Sequence, residues 1–163
     1  MPTALKHIEE TLDIVKTLFV ANLATYLTAI NVEKGDGITL TAPRSTNYAI
    51  NEIDAFPEFP YVQFVPDTSD TVVAGGTWDE TDHHIIIKAH NASKRGQISE
   101  CAKRTYRYAR AIAEIIIDNR TISSQVIGIQ IDNINYDVMM SDGNGFKQEV
   151  WVHCTVKHHG TFS

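Results

Sequence analysis

An α+β fold, with an antiparallel or mixed β-sheet and two main helices packed on one face, is what this sequence predicts. Three observations carry that expectation. Apolar residues recur at three- and four-residue steps over residues 1–30 and again over 97–119, the signature of two amphipathic helices. Ile85, Ile87 and Ala89 alternate with Ile86, Lys88 and His90, and apolar residues alternate again over 150–157, as they do in strands with one buried face. Glycine-rich turns at Gly35-Asp36-Gly37, Gly75-Gly76 and Ser141-Asp142-Gly143-Asn144-Gly145 punctuate the chain.

In the first helix, Ile8, Leu12, Val15, Phe19, Leu23, Tyr26 and Ile30 form one stripe, with Thr3 placed to cap the start. Ile14 and Leu18 fall outside the stripe, where they pack on its flank or touch a neighbouring subunit. Residues 38–41 (Ile-Thr-Leu-Thr) resemble a short strand, and a loop follows from Pro43 to Pro60. Tyr61-Val62-Gln63-Phe64-Val65 lies between two prolines and reads as a strand near an edge. The polar stretch Asp67–Asp82 reads as a mobile excursion, after which Ile85, Ile87 and Ala89 form the buried side of a strand.

The second helix, about Gln97–Asn119, places Cys101, Thr105, Tyr108, Ile112 and Ile116 on its core face. Lys103, Arg107 and Arg110 form a basic stripe on the far side, read as a solvated face or a partner surface. Glu100–Arg104 and Arg110–Glu114 are pairs four apart, each worth a few tenths of a kcal/mol. Ile127, Ile129 and Ile131 are apolar at odd positions, but Ile134, Tyr136 and Val138 at even ones. That switch of parity predicts a bulge near Asn133. In the closing strand Val150, Val152, Cys154 and Val156 share one face, and Glu149, Trp151, His153, Thr155 and Lys157 the other.

The 163 residues suit a single domain spanning 1–163, and a hydrophobic fraction of 43% supports a real core. A formal charge of −6 argues against sequence-specific nucleic-acid binding, because phosphate contacts need clustered Lys and Arg. Cys101 and Cys154 both fall at core positions and read either as a disulfide or, preferably, as buried free thiols. The sequons at Asn91 and Asn119 have no secretion signal to give them meaning, since Lys6, Glu9, Glu10 and Asp13 crowd the N-terminus. No apolar run reaches the ~20 residues of a membrane span, so no membrane partner is expected.

Motifs for chemistry are weak. Asp82-His83-His84 resembles the signature of a phosphoesterase family and suits a divalent metal. Adjacent strand residues point to opposite faces, however, so one strand cannot aim both histidines at one ion. His158-His159 reads as an exposed terminal pair, and His7, His90 and His153 as surface residues without zinc-site spacing. There is no Gly-x-Ser-x-Gly elbow, and Gly143-Asn144-Gly145-Phe146-Lys147 is turn chemistry, not a phosphate loop. No catalytic residue, cofactor or metal ligand is therefore assigned. Trp78 and Trp151 stand out as large aromatics in polar surroundings, and with Arg107 and Arg110 they are the candidate subunit or partner contacts.

The long first helix, the proline-flanked Tyr61–Val65 strand, the excursion through Gly75-Gly76 and the Ile85-Ile86-Ile87 strand follow one another in a recognisable order. The Tyr108-Ala109-Arg110-Ala111-Ile112 helix, the Asn133-Ile134-Asn135-Tyr136 segment and the valine-rich closing strand complete it. This layout resembles that of tail-terminator and head–tail joining (neck) proteins of long-tailed bacteriophages. The resemblance implies a structural virion protein that assembles in the host cytoplasm. It would form a ring of about six copies, capping the tail tube and joining it to the head connector and stopper proteins. DNA would pass through such a ring, and the segment Asp67–Asp82 would contact neighbouring ring proteins. The basic stripe would meet acidic positions such as Glu52, Asp54, Glu58, Asp67 and Asp70 of the next copy. Two other readings remain: a small metal-dependent hydrolase using Asp82, His83 and His84, and a binding module for an unnamed ligand.

Overall fold

The computed structural model describes residues 7–52, 58–74, 78–122, 128–141 and 143–160, and the backbone alone for 71–74, 78–79 and 159–160. Helix α1 (Ile8–Lys34) starts where the His7 N–H donates to the Glu10 carboxylate at 2.6 Å. The expected cap Thr3 lies outside the described residues. The helix stops at Gly35, whose φ of 53° is left-handed and costs a glycine little. Its buried stripe is Leu12, Val15, Phe19, Leu23, Leu27 and Ile30, with Thr11 beside it. Leu27 takes the place expected for Tyr26, because a four-residue step from Leu23 stays on the inner face. Tyr26 turns to the flank instead and donates its hydroxyl to Asp118 at 2.7 Å. Ile14 and Leu18 are half-buried against the core. By length and composition this helix is apolar enough to cross a membrane, contrary to the sequence expectation, although here its stripe packs inside the protein.

Residues 38–41 form no strand. Leu40 is held by the Asn31 side chain, which donates to the Leu40 carbonyl at 2.9 Å and accepts its N–H at 2.8 Å. A side-chain amide offers the donor and acceptor of a strand partner, but for one residue only. The expected loop from Pro43 to Pro60 contains a 3₁₀ turn (Ser45–Asn47) and a three-residue strand, β1 (Tyr48–Ile50). β1 runs parallel to β2 (Tyr61–Ala74), pairing Tyr48 with Val62 and Ile50 with Phe64. Tyr61–Val65 is therefore an inner strand where β1 covers it, and becomes an edge only beyond Phe64.

The stretch Asp67–Asp82 is not an excursion but part of a long hairpin between β2 and β3 (Trp78–Lys94). The ladder shifts register between Pro66 and Ser69, where proline has no N–H to give. It then continues from Ser69 opposite His83 to Ala74 opposite Trp78. Gly75-Gly76 lies outside the described residues.

Helix α2 (Ile98–Asp118) matches its expected span, and Cys101, Thr105, Tyr108, Ile112 and Ile116 are all buried. β4 (Gly128–Tyr136), β5 (Met140–Ser141) and β6 (Gly145–Gly160) complete the sheet. The parity switch in β4 is a bulge: Ile131 pairs with Cys154, Asn133 with His153, and Asp132 is the extra residue. Ile131 and Ile134 thereby both face the helices; Ile127 lies outside the described residues. The strand order is β1-β2-β3-β6-β4, with β5 also on β6, antiparallel except for β1 with β2. Both helices cover one face, where Phe64, Ile85, Ile87, Val150, Val152, Cys154 and Val156 meet Phe19, Leu23 and Ile112. Cys101 and Cys154 are buried and free, and desolvation pushes both thiols upward, which suppresses the reactive thiolate.

Candidate functional site

The face of the sheet turned away from the helices carries the polar half of every strand's alternation. At its centre Trp151 is half-buried, with the Lys88 ammonium 4.4 Å above its ring and its Nε1 donating to Glu149 at 2.8 Å. Lys88 is almost buried and also pairs with Glu52. Trp151 is thus where the sequence placed it, on the polar face, and neighbours within the chain cover part of its ring. The side chain of Trp78 lies outside the described residues; its backbone pairs with Ala74 beside the hairpin turn.

Next to Trp151, His90 is buried, not a surface residue as expected. Its Nδ1 meets Glu149 at 3.0 Å and its Nε2 the Gln63 amide at 2.8 Å. The hydrogen bond from His90 is the main reason the Glu149 carboxyl lies below the ordinary range. Further along, Thr155 bonds to His84 at 3.0 Å and to Asp132, while Asn135 meets His153 at 3.2 Å. Most of this face is therefore cross-linked internally, which makes it stiff.

The Asp82-His83-His84 motif divides across the sheet. His83 lies under the helices, 2.7 Å from the Ser69 hydroxyl, with its ring 5.3 Å from that of His158. His84 lies on the opposite face, with Asp70 at 3.2 Å, and Asp82 pairs with Lys157 at 3.3 Å. The three groups converge on no common point, and no cluster of three metal-ligating side chains occurs among the described residues. His158 is not an exposed end: it is 1% exposed and 2.9 Å from the Thr11 hydroxyl, because β6 continues beneath the start of α1. His159 lies outside the described side chains.

The basic stripe of α2 faces the end of α1: Arg107 is buried there, while Arg110 and Lys103 remain partly in solvent. Arg107 is buried and forks onto both oxygens of Asp36, with a further bond to the Ile38 carbonyl at 3.2 Å. Arg110 forks onto Glu33 at 2.8 and 2.6 Å and reaches Glu114 at 2.7 Å. A helical wheel places these arginines away from Cys101 and Ile112, but cannot show that the loop after α1 folds over them. The partners of the stripe are thus Glu33 and Asp36 of the same chain.

Arg110 holds the Glu33 carboxyl at about 2, from an ordinary 4.5, and Arg107 holds Asp36 at about 2, from 3.8. Both folded values are depressed, so the contribution is complete above pH 4.5 and is lost as pH falls towards 2. Solvent screens both pairs, so the effect is modest. Thermal melts across this interval should show the stability gap between wild type and a Glu33→Gln/Asp36→Asn double variant narrowing as pH drops. A constant gap would contradict the assignment.

Apolar exposure collects at the β4 border. Tyr106 of α2 and Tyr136 of β4 stack edge to face at 5.2 Å, and Val138 and Met140 follow, all strongly exposed. β4 ends the sheet, so its outer backbone row has no strand neighbour among the described residues.

No family model and no curated protein matches the chain. Among solved structures it is similar to a chain in the virion of a native gene transfer agent (GTA) particle. The match has 12% identity and a TM-score of 0.42, over 84% of this chain and 92% of that chain.

Proposed function

We propose that this protein is a structural virion component, a ring-forming joint of the tail-terminator or neck type. The observation that carries the reading is the β4 border. Beyond Ile129, whose N–H donates to the Arg120 carbonyl, β4 has no strand neighbour on its outer side among the described residues, and with Tyr106, Tyr136, Val138 and Met140 it offers backbone groups and aromatic surface together, the makeup of a subunit contact. The opposite edge, β2 beyond Phe64, also has no strand neighbour among the described residues, and the two ends of the sheet differ. Unlike ends favour heterologous contacts, which close into rings when the rotation per copy allows. In this reading about six copies cap the tail tube beneath the head connector, and DNA passes through the opening without base-specific contacts. Trp78 would add a contact at the hairpin tip. The divergence of Asp82, His83 and His84 leaves the hydrolase reading without a supporting observation.

Light scattering over a concentration series, alone and with purified tail tubes, tests the proposal. Wild type should give a hollow ring by negative stain, either free or on the tube end. Tyr136→Glu should abolish the ring while lowering folding stability by only about 1 kcal/mol, from the lost stack on Tyr106. Wild-type protein that neither self-associates nor binds tubes would refute the proposal.

A further inference from the structure

At the Lys94 end of the β3–β6 ladder, beside the start of α2, lies an open cleft of about 550 Å³. Lys94, Arg104 and Lys147 line it together with Ser93, Gln97 and Asn144, and no carboxylate does among the described residues. In a chain of net charge −6 this is a local reversal of sign. Arg104 is the telling residue. Its Nε is buried without a hydrogen-bond partner, and its one carboxylate neighbour, Glu100, stands 3.7 Å away. Compare Arg107 and Arg110, whose guanidinium groups are satisfied by bidentate carboxylates. The Nε is shielded from solvent, but the side chain keeps 28% exposure and Glu100 stops short of hydrogen-bond distance, so this planar fork is suited to a carboxylate from outside.

The other end of the same ladder has the opposite character. β2 carries Asp67-Thr68-Ser69-Asp70 and β3 carries Asp79-Glu80-Thr81-Asp82. Asp67 is exposed, and the Asp70 side chain is 75% exposed despite its contact with His84. Asp82 and the cleft-lining Lys94 are separated by roughly 40 Å of strand at ~3.3 Å per residue, so the two regions of one copy do not meet.

We infer that the Lys94–Arg104–Lys147 cleft is a carboxylate socket for the acidic β2–β3 arm of a second copy of this chain. The contact joins two different surfaces, so it is heterologous and propagates around a ring. The inference rests on the ring-forming reading only in naming a second copy as the occupant. It also relocates the charge complementarity read from the sequence: the acidic arm remains, and its basic partner becomes this cleft instead of Arg107 and Arg110.

Cysteine cross-linking tests it. Thr68→Cys and Gln97→Cys variants, prepared separately, are mixed and oxidised; Cys101 and Cys154 are buried and stay silent. The mixed disulfide should exceed its statistical share. It should fall roughly tenfold when Arg104→Glu is added to the cleft copy or Asp67→Arg/Asp70→Arg to the arm copy, and fall with added salt. Combining both reversals, with each copy shown folded by circular dichroism, should restore it. Rings without the preferred cross-link would overturn this inference and spare the ring reading. The cross-link with only dimers or open chains, with and without tail tubes, would do the reverse. A duplex DNA probe that binds wild type, but not Arg104→Glu, with no mixed disulfide would reassign the cleft to phosphate and overturn the inference.

Discussion

Phe19→Ala is expected to lower folding stability by about 3–5 kcal/mol, the largest loss of any single truncation in α1. Phe19 is fully buried at the middle of the helix, and its ring lies 5.7 Å from that of Phe64, tilted by 58°. Phe64 sits on β2 between β1 and β3, so this pair ties the helix layer to the sheet where three strands run side by side. Truncation removes the transfer term of a phenyl ring and leaves a cavity that rigid neighbours on a sheet cannot easily close. Val20, the next residue, is 45% exposed, and Val20→Ala should change stability by no more than about 0.5 kcal/mol. Urea unfolding measures both. A Phe19→Ala loss near that of Val20→Ala would mean that α1 does not pack on the sheet as described.

Gly145→Ala should be the most damaging small-to-large change, at about 3 kcal/mol, the upper end for overpacking. An added Cβ would stand 2.1 Å from the Ser93 carbonyl oxygen and 3.2 Å from its carbon. Both atoms are backbone of β3, which pairs with β6 at this point, so no side chain can swing aside. The ladder itself would have to part. Two residues earlier, Gly143 has a φ of 84° but open space around it. Asparagine is the side chain that strains least at positive φ, so Gly143→Asn should cost about 1 kcal/mol, well below Gly145→Ala. Thermal and urea denaturation of the two variants separates them; similar losses would show that the turn, not the ladder contact, makes position 145 sensitive. Because Gly145 also walls the basic cleft, its variant should be tested for stability before any assembly measurement.

These two sites differ in how visible they are beforehand. Phe19 belongs to an evident helical stripe, and its burial follows from periodicity. Gly143 and Gly145 look alike in sequence, as parts of one turn. Only the approach of β3 distinguishes a glycine needed for its backbone angle from one needed for its missing side chain. The candidate contacts show the same division. Trp151 was identifiable as an aromatic on a polar strand face, but its cover by Lys88 depends on a strand about sixty residues earlier in the chain. Arg104 appeared only as half of a pair four apart with Glu100, and nothing local marks its Nε as unanswered.

What the sequence by itself determined is whatever rests on neighbours within a few residues. The extent of α2, the bulge at Asp132 and the inward row Val150–Val152–Cys154–Val156 are of this kind, since turn geometry and side-chain alternation are local properties of the backbone. Tertiary structure alone decided the rest. β1 is three residues long and exists because β2 lies beside it; Leu40 is held by a side chain of α1; and the polar stretch 67–82 becomes a ladder because two strands meet in register. Arg107 is buried for the same reason, since Asp36 arrives from a different part of the chain. In each case the partner is remote in sequence, and the free energy that orders the segment comes from the contact, not from the segment's own preferences.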